Sequence, residues 1–340
     1  MDLLKRKRVI PLLIYIFLLF WFLLSASVPV AANEISAVYL GGEPIGVVQK
    51  CDGVVVSEYL GVETENGLVY PAKDAGILLG DVITAVDDVE IFSAAEMAAI
   101  ITPEKLRCTL TVERGLSYVD ITVTPAYDIV QHTKKLGIAV KNEMAGVGTM
   151  TYILPDGRFG SVGHKIADPH VSTPNTFQSG DLYDCEIIGV TKGQSGKAGE
   201  LSGKFSKKDN VVGKVEKNIF CGLFGVKEFQ PIGRKLIEIG HKDEVMTGEA
   251  YIYSTLDGHV PEAYSIEIVK AENQSSPKEK SMVIKVTYER LLAKAGVIVQ
   301  GMSGSPIVQN GKLIGAVTHV FLNDSTRGYG IYVDWMLQNQ

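Results

Sequence analysis

Gly301-Met302-Ser303-Gly304-Ser305-Pro306-Ile307-Val308 is the stretch on which the reading of this chain turns. A serine between glycines permits a tight turn that exposes its Oγ, and the neighbouring backbone N–H groups can converge on one point, which is how an oxyanion is held. Immediately downstream, Lys312-Leu-Ile-Gly-Ala-Val-Thr-His-Val-Phe321 has the β-branched, alternating character of a strand. The serine turn is thus expected at the entrance to a sheet.

Upstream, Gly146–Ile153, Cys185–Thr191 and Ser281–Thr287 repeat that strand pattern between glycine-rich turns. Roughly 200 residues of short strands and turn signals predict a β-barrel or sandwich. Asn273–Lys280 reads as an exposed polar loop, and Val333–Leu337 as a short helix packed on the barrel. Residues 33–127 mix short strands (Gly53–Ser57, Asp81–Val86, Cys108–Val112) with one helix, Ser93–Ile101, whose Ser93 and Glu96 have capping-box spacing. The domain boundaries expected are 1–32, 33–127, a linker at 128–136, and 137–340.

The 340 residues suit two globular units. With 33 basic against 39 acidic residues, and Lys5–Arg8 as the one basic run, nucleic acid is excluded as an expected partner. That basic run precedes the apolar segment Val9–Leu24 and the small residues Ser25–Ala32, the layout of an export signal; uncleaved, residues 9–32 would serve as a membrane anchor. Either way the remainder is expected outside the cytoplasmic membrane. Cys51, Cys108, Cys185 and Cys221 lack Cys-x-x-Cys spacing, so neither a metal site nor a cofactor is implied; disulfides and buried thiols both stay open.

Pro71-Ala-Lys-Asp-Ala-Gly-Ile-Leu-Leu-Gly-Asp-Val-Ile-Thr-Ala-Val-Asp-Asp88 resembles the PDZ signature: a short helix, Ala-Gly-Ile, a Gly-Asp turn, a strand and a tight Asp-Asp turn. A PDZ module receives an extended peptide as an added strand on an open sheet edge. The resemblance implies a receiving loop near Gly53–Ser57. The plainer alternative is a spacer domain.

Gly-x-Ser-Gly-x-Pro followed by Gly-Lys-Leu-Ile-Gly-Ala-Val resembles the nucleophile loop of chymotrypsin-like serine peptidases. This implies Ser303 as nucleophile and the amides of Gly301 and Ser303 as the oxyanion hole. The weakly acidic serine needs a general base. Of six histidines, His164 in Gly160-Ser-Val-Gly-His-Lys-Ile-Ala-Asp168 sits early in the barrel domain at a strand end and fits best. His132 falls in the linker, and His170, His241 and His259 in polar loops. His319, with Thr318, falls where this fold lines its substrate cleft; a packed barrel histidine is the equal alternative.

The export segment, the PDZ block, Gly-His-x-Ile-x-Asp and the run Ile298–Phe321 together resemble the stage IV sporulation protein B family, along essentially the whole chain. The implied fold is multidomain, a small α/β PDZ domain followed by an all-β chymotrypsin-like double-barrel peptidase domain. The implied activity is that of a sporulation-signalling serine endopeptidase in the forespore intermembrane space. Its protein substrates would be its own N-terminal region and a membrane-bound regulatory subunit of an intramembrane metalloprotease, cleaved to activate a late sigma factor. One departure stands out: the family's orienting acid lies fifteen residues before the serine, where this chain has Tyr288. Adjacent Glu289, if a bulge re-aimed it, and Asp168 are candidate substitutes, so the third member stays open. The rival reading is a non-catalytic PDZ adaptor binding membrane partners; an exported ligand-binding β protein has no motif in its favour.

Overall fold

The computed structural model describes residues 35–340 except 168–178, 194–197, 206–209, 290, 292–297, 322, 323 and 325. The export segment and the candidates Asp168 and His170 lie outside the described residues.

Two antiparallel cycles of six strands dominate the fold. The first joins Pro44–Tyr59, Ile138–Ile153, Arg158–Ser161, Gly222–Lys227, Gly213–Ile219 and Gly180–Asp184, the last pairing back on the first. The second joins Gly248–Ser254, Glu262–Ala271, Met282–Val286, Arg327–Tyr332, Lys312–Val320 and Pro306–Gln309 in the same closed manner. Closure pairs each barrel strand with a neighbour on both sides within the barrel. Period-two burial follows: Met282, Ile284 and Val286 face inward while Lys285 is exposed. The first barrel's core gathers Ile45, Val47, Met150, Phe159, Leu182 and Leu223.

A PDZ unit sits beside the first barrel with its own core, including Ile77, Ile83, Ile91, Met97, Leu110 and Val112. Its long helix, Ala94–Ile100, is capped as the sequence predicts: Ser93 accepts from the Glu96 amide at 3.2 Å, and the Glu96 carboxylate accepts from the Phe92 amide at 2.6 Å. Asp87 and Asp88 take φ of 49° and 63°, making the tight turn that the PDZ-like block implies. Buried Asp81 is gripped by the Arg114 guanidinium through Nε at 2.8 Å and Nη2 at 2.7 Å.

Chain order and barrel membership differ from the simple succession of segments. Residues 44–50, expected in the PDZ unit, pair with Gly180–Asp184 and with the C-terminal half of Ile138–Ile153. The same sixteen-residue strand then enters the PDZ unit at Gly53–Tyr59. The PDZ unit is therefore threaded between the first barrel's first two strands. Residues 128–136, expected as a linker, are also structured. Ala126–Asp128 pairs with Thr133–Lys135, and Leu136 is buried in the PDZ core. Lys135 Nζ donates to Asp128 at 2.7 Å and holds its carboxyl below the usual range.

All four cysteines are buried and unpaired, and burial pushes their thiols up, to about 12 at Cys51 and Cys221 and about 11 at Cys108 and Cys185. Of the two states the sequence left open, the structure has the thiol.

Candidate active site

His164 and Ser303 come from different barrels. His164 follows the Arg158–Ser161 strand through a turn in which Val162 and Gly163 both have left-handed backbone, φ 66° and 75°. For a β-branched residue this is a strained conformation. It is held because Val162 is buried and its amide donates to the Thr149 carbonyl at 3.2 Å. The turn delivers the imidazole to the face of His319, with ring centroids 4.6 Å apart and planes 33° apart. His164 Nδ1 lies 2.9 Å from the Lys165 carbonyl oxygen.

Ser303 precedes the Pro306–Gln309 strand, in a loop where Gly301 and Gly304 have φ of 94° and 96°. The first barrel fixes this loop from below. The Thr149 amide donates to the Ser303 carbonyl at 3.0 Å, the Thr149 hydroxyl to the Gly301 carbonyl at 2.8 Å, and the Thr151 hydroxyl to the Gly304 carbonyl at 2.7 Å. With those carbonyls turned into the protein, the amides divide. Met302, Gly304 and Ser305 donate to Val299, Val317 and Met302 respectively. Among the described residues, the amides of Gly301 and Ser303 donate to no backbone carbonyl. Two such donors beside a serine Oγ have the composition of an oxyanion site.

The Ser303 hydroxyl donates to the Thr318 carbonyl at 2.8 Å, and no Ser303–His164 hydrogen bond is formed. The two side chains nonetheless share one wall: Thr318 receives the serine, its neighbour His319 stacks on His164, and a Cβ on Gly163 would meet Thr318 Cγ2 at 3.1 Å. Catalytic hydrogen bonds are often unformed without substrate. Rotation about the Ser303 Cα–Cβ bond is the movement that exchanges Thr318 for another acceptor.

The remaining sequence candidates lie elsewhere or are absorbed into packing. Tyr288 stacks edge-on with Tyr264, centroids 5.5 Å apart, and Glu289 is exposed. His241 Nδ1 pairs with Asp334 at 2.9 Å, His259 Nδ1 with the Cys185 carbonyl at 3.0 Å, and His132 is exposed. Among the described residues, the carboxylate that favours the protonated His164 ring is Glu279. Its loop, read as a plain exposed segment, is pinned through buried Gln274, which bonds the Lys280 carbonyl, Ser281 and the Trp335 indole. Thr318 Oγ1 reaches the Glu279 carbonyl at 3.4 Å. Glu279 and Thr149 were both missed, since neither lies in a local motif and only strand pairing brings them to the site.

Burial lowers the His164 pKa from its ordinary value, against the opposing effects of the Lys165 carbonyl and Glu279. His319 falls to about 4, through burial and then the nearby His164 and Lys280. Both rings are thus neutral near pH 7, the state a general base requires. A folded-state pKa below the unfolded one means that the unfolded chain binds the extra proton first. The stability from His319 is complete above about 6.5 and lost as pH falls toward about 4. A His319→Gln variant is expected to flatten the dependence of the urea midpoint on pH across that window.

Thr149→Val keeps shape but removes the hydroxyl bond to the Gly301 carbonyl. The expected outcome is a fall of about 10²-fold in kcat with little change in KM, since an oxyanion loop acts on the transition state. Steady-state kinetics checks it, with Thr149→Ser as the rescuing variant.

The peptide-receiving edge is not at Gly53–Ser57. There Val54 and Val55 pair with Ile83 and Val82 on one side, and Val55 and Val56 pair with Lys141 and Val140 on the other. One open edge among the described residues is the outer side of Ile138–Val140, which faces the Ala94–Ile100 helix across a groove of about 820 Å³. Met97, Ile101, Leu136 and Ile138 line it, with Lys134 and Lys135 among the lining residues.

The family model described as SpoIVB peptidase S55 matches residues 132–337, and the one described as PDZ domain matches residues 70–114. No curated protein matches the chain.

Proposed function

The chain belongs to the SpoIVB peptidase S55 family and is a PDZ-containing serine peptidase, and from that premise we propose a sporulation-signalling endopeptidase acting outside the cytoplasmic membrane. Ser303 is the nucleophile, His164 the general base and then acid, and the Gly301 and Ser303 amides hold the oxyanion. The chain reaches its compartment through residues 1–32. It cleaves its own N-terminal region and then a membrane-bound regulatory subunit of an intramembrane metalloprotease, which leads to activation of a late sigma factor. Thr318 and His319 lie along the bound substrate.

The observation that supports this reading best is the Gly301–Gly304 loop. Its carbonyls are tied to Thr149 and Thr151, its Gly301 and Ser303 amides are unspent on backbone carbonyls among the described residues, and its serine shares a wall with His164. In the reaction, the Ser303 proton moves to the imidazole as Oγ bonds the scissile carbon and the carbonyl electron pair moves onto oxygen. Collapse of the adduct breaks the C–N bond, and the imidazolium returns the proton to the leaving amine. Water repeats the sequence on the acyl-enzyme. The groove beside Ile138–Val140 holds an extended peptide, from the chain itself or a membrane partner, by main-chain pairing.

Incubating the purified full chain tests the proposal. New N-termini should appear with time and be absent from Ser303→Ala. Fragments forming equally in Ser303→Ala would overturn it.

A further inference from the structure

The chain has tyrosine where its relatives' orienting acid is expected, and Tyr288 packs on Tyr264 rather than on His164. The ring's orientation is nevertheless determined. Nδ1 sits 2.9 Å from a carbonyl oxygen of the next residue, an atom that only accepts. A neutral imidazole can satisfy it only by carrying its proton on Nδ1, which leaves the lone pair on Nε2. The His319 ring, tilted by 33° with its centroid 4.6 Å away, packs against it. The strained Val162-Gly163 turn fixes where the ring starts.

We propose that the Lys165 carbonyl takes the place of the missing triad acid, setting the His164 tautomer and ring position, and that Glu279 supplies the negative charge that steadies the imidazolium. This rests on the Ser303/His164 reading above. A carbonyl orients as well as a carboxylate but carries no net charge, so the imidazolium formed in the transition state needs its counter-charge elsewhere. Glu279 belongs to the 273–281 loop that Thr318 Oγ1 touches, on the wall shared with Ser303. Among the described residues, His319 does not substitute for it, being neutral near pH 7 with its pKa lowered to about 4, nor does the Cys221 thiol, which burial pushes up to about 12. Lys165 and Glu279 are positioning residues; neither meets the reacting atoms.

Two readouts test this on the full chain. The first is a long-range ¹H–¹⁵N spectrum of the histidine rings, assigned with His164→Gln, which should show His164 as the Nδ1–H tautomer at neutral pH; the Nε2–H tautomer would overturn the proposal. The second is the pH profile of turnover. Activity rises as His164 loses its proton. Glu279→Gln removes a charge that favours the protonated ring, so the acid limb should move down by about 0.5 unit. Its kcat should fall about 10-fold at unchanged KM, far less than the roughly 10⁴-fold seen when a triad acid is lost, because the tautomer survives. Glu279→Asp should recover most of the loss, and Tyr288→Phe should match wild type. An unshifted limb with kcat within about twofold in Glu279→Gln, or an equal loss in Tyr288→Phe, would overturn it. A wild type without Ser303-dependent turnover would refute the peptidase reading instead, and the tautomer spectrum would still decide the carbonyl's role.

Discussion

Ser303→Ala is expected to lower kcat on an unstructured protein substrate by about 10⁶-fold, and His164→Ala by nearly as much. The double variant should be no slower than either alone. In the proposed mechanism nucleophile and base act as one unit: without the base the hydroxyl keeps its proton, and without the hydroxyl the base has nothing to activate. The residual rate in all three should still exceed that in water, because the Gly301 and Ser303 amides and the Thr149 bonds that aim them are backbone features left by the substitutions. Folding should be unaffected. Ser303 makes a single side-chain bond, to the Thr318 carbonyl, and the loop is held through its backbone. Initial-rate kinetics on the three variants checks this; losses that simply multiply in the double variant would mean that the residues act separately.

Gly304→Ala is the second large effect, and it strikes structure and chemistry together. Gly304 has φ of 96°, and a Cβ there would lie 2.1 Å from the Thr149 carbonyl oxygen, 2.4 Å from the Val162 amide nitrogen and 2.8 Å from the Val162 Cα. All three are backbone atoms of the first barrel, at the strand that anchors the loop and the turn that bears His164. They cannot yield as a flexible side-chain tip would. Backbone strain alone costs about 1–2 kcal/mol, and displacing the loop adds about 1–3 kcal/mol. Stability should fall by about 3 kcal/mol or more, with turnover lost in whatever remains folded. Gly311 is the control: its φ is 79°, but a Cβ there meets nothing within 4 Å. Gly311→Ala should cost only the strain and leave turnover unchanged. Equal urea midpoints for the two variants would contradict the argument.

The comparison explains why the Gly301–Gly304 loop was legible in the sequence. Gly301 and Gly304 are obligatory, one for a left-handed turn and the other also for the close approach of two barrels, so the glycines mark the loop wherever it is read. The Ser93–Glu96 cap and the Asp87-Asp88 turn were legible for the same reason, being local chemistry that demands particular residues. The path of the chain through the first barrel was not. Only Gly53–Ser57 of the Pro44–Tyr59 strand reads as strand, and nothing local says that the first half closes a barrel while the second half enters the PDZ unit. The peptide edge was misplaced for a related cause. Gly53–Ser57 and Ile138–Val140 have equivalent strand patterns, and only the pairing partners show which keeps a free side.

Position at a strand end singled His164 out from six histidines, whereas nothing in the sequence pointed to the group facing its Nδ1. A carboxylate leaves a trace in sequence; a backbone carbonyl exists at every residue. Hence Tyr288 was a conspicuous gap, while Lys165, next to His164 in the chain, carried no signal. Thr149 and Glu279 reach the site from 154 and 24 positions before Ser303, and their spacing to it is set by strand lengths alone.

The proposed reaction depends on a serine and a histidine from separate barrels working on one proton. Covalent labelling of the folded protein with a fluorophosphonate, mapped by mass spectrometry, measures this most directly. The predicted result is a single adduct on Ser303 whose rate of formation collapses in His164→Ala. Folded wild-type protein that forms no adduct at Ser303 while a control peptidase reacts, or labels as fast without His164, would contradict it and leave the chain as a binding scaffold.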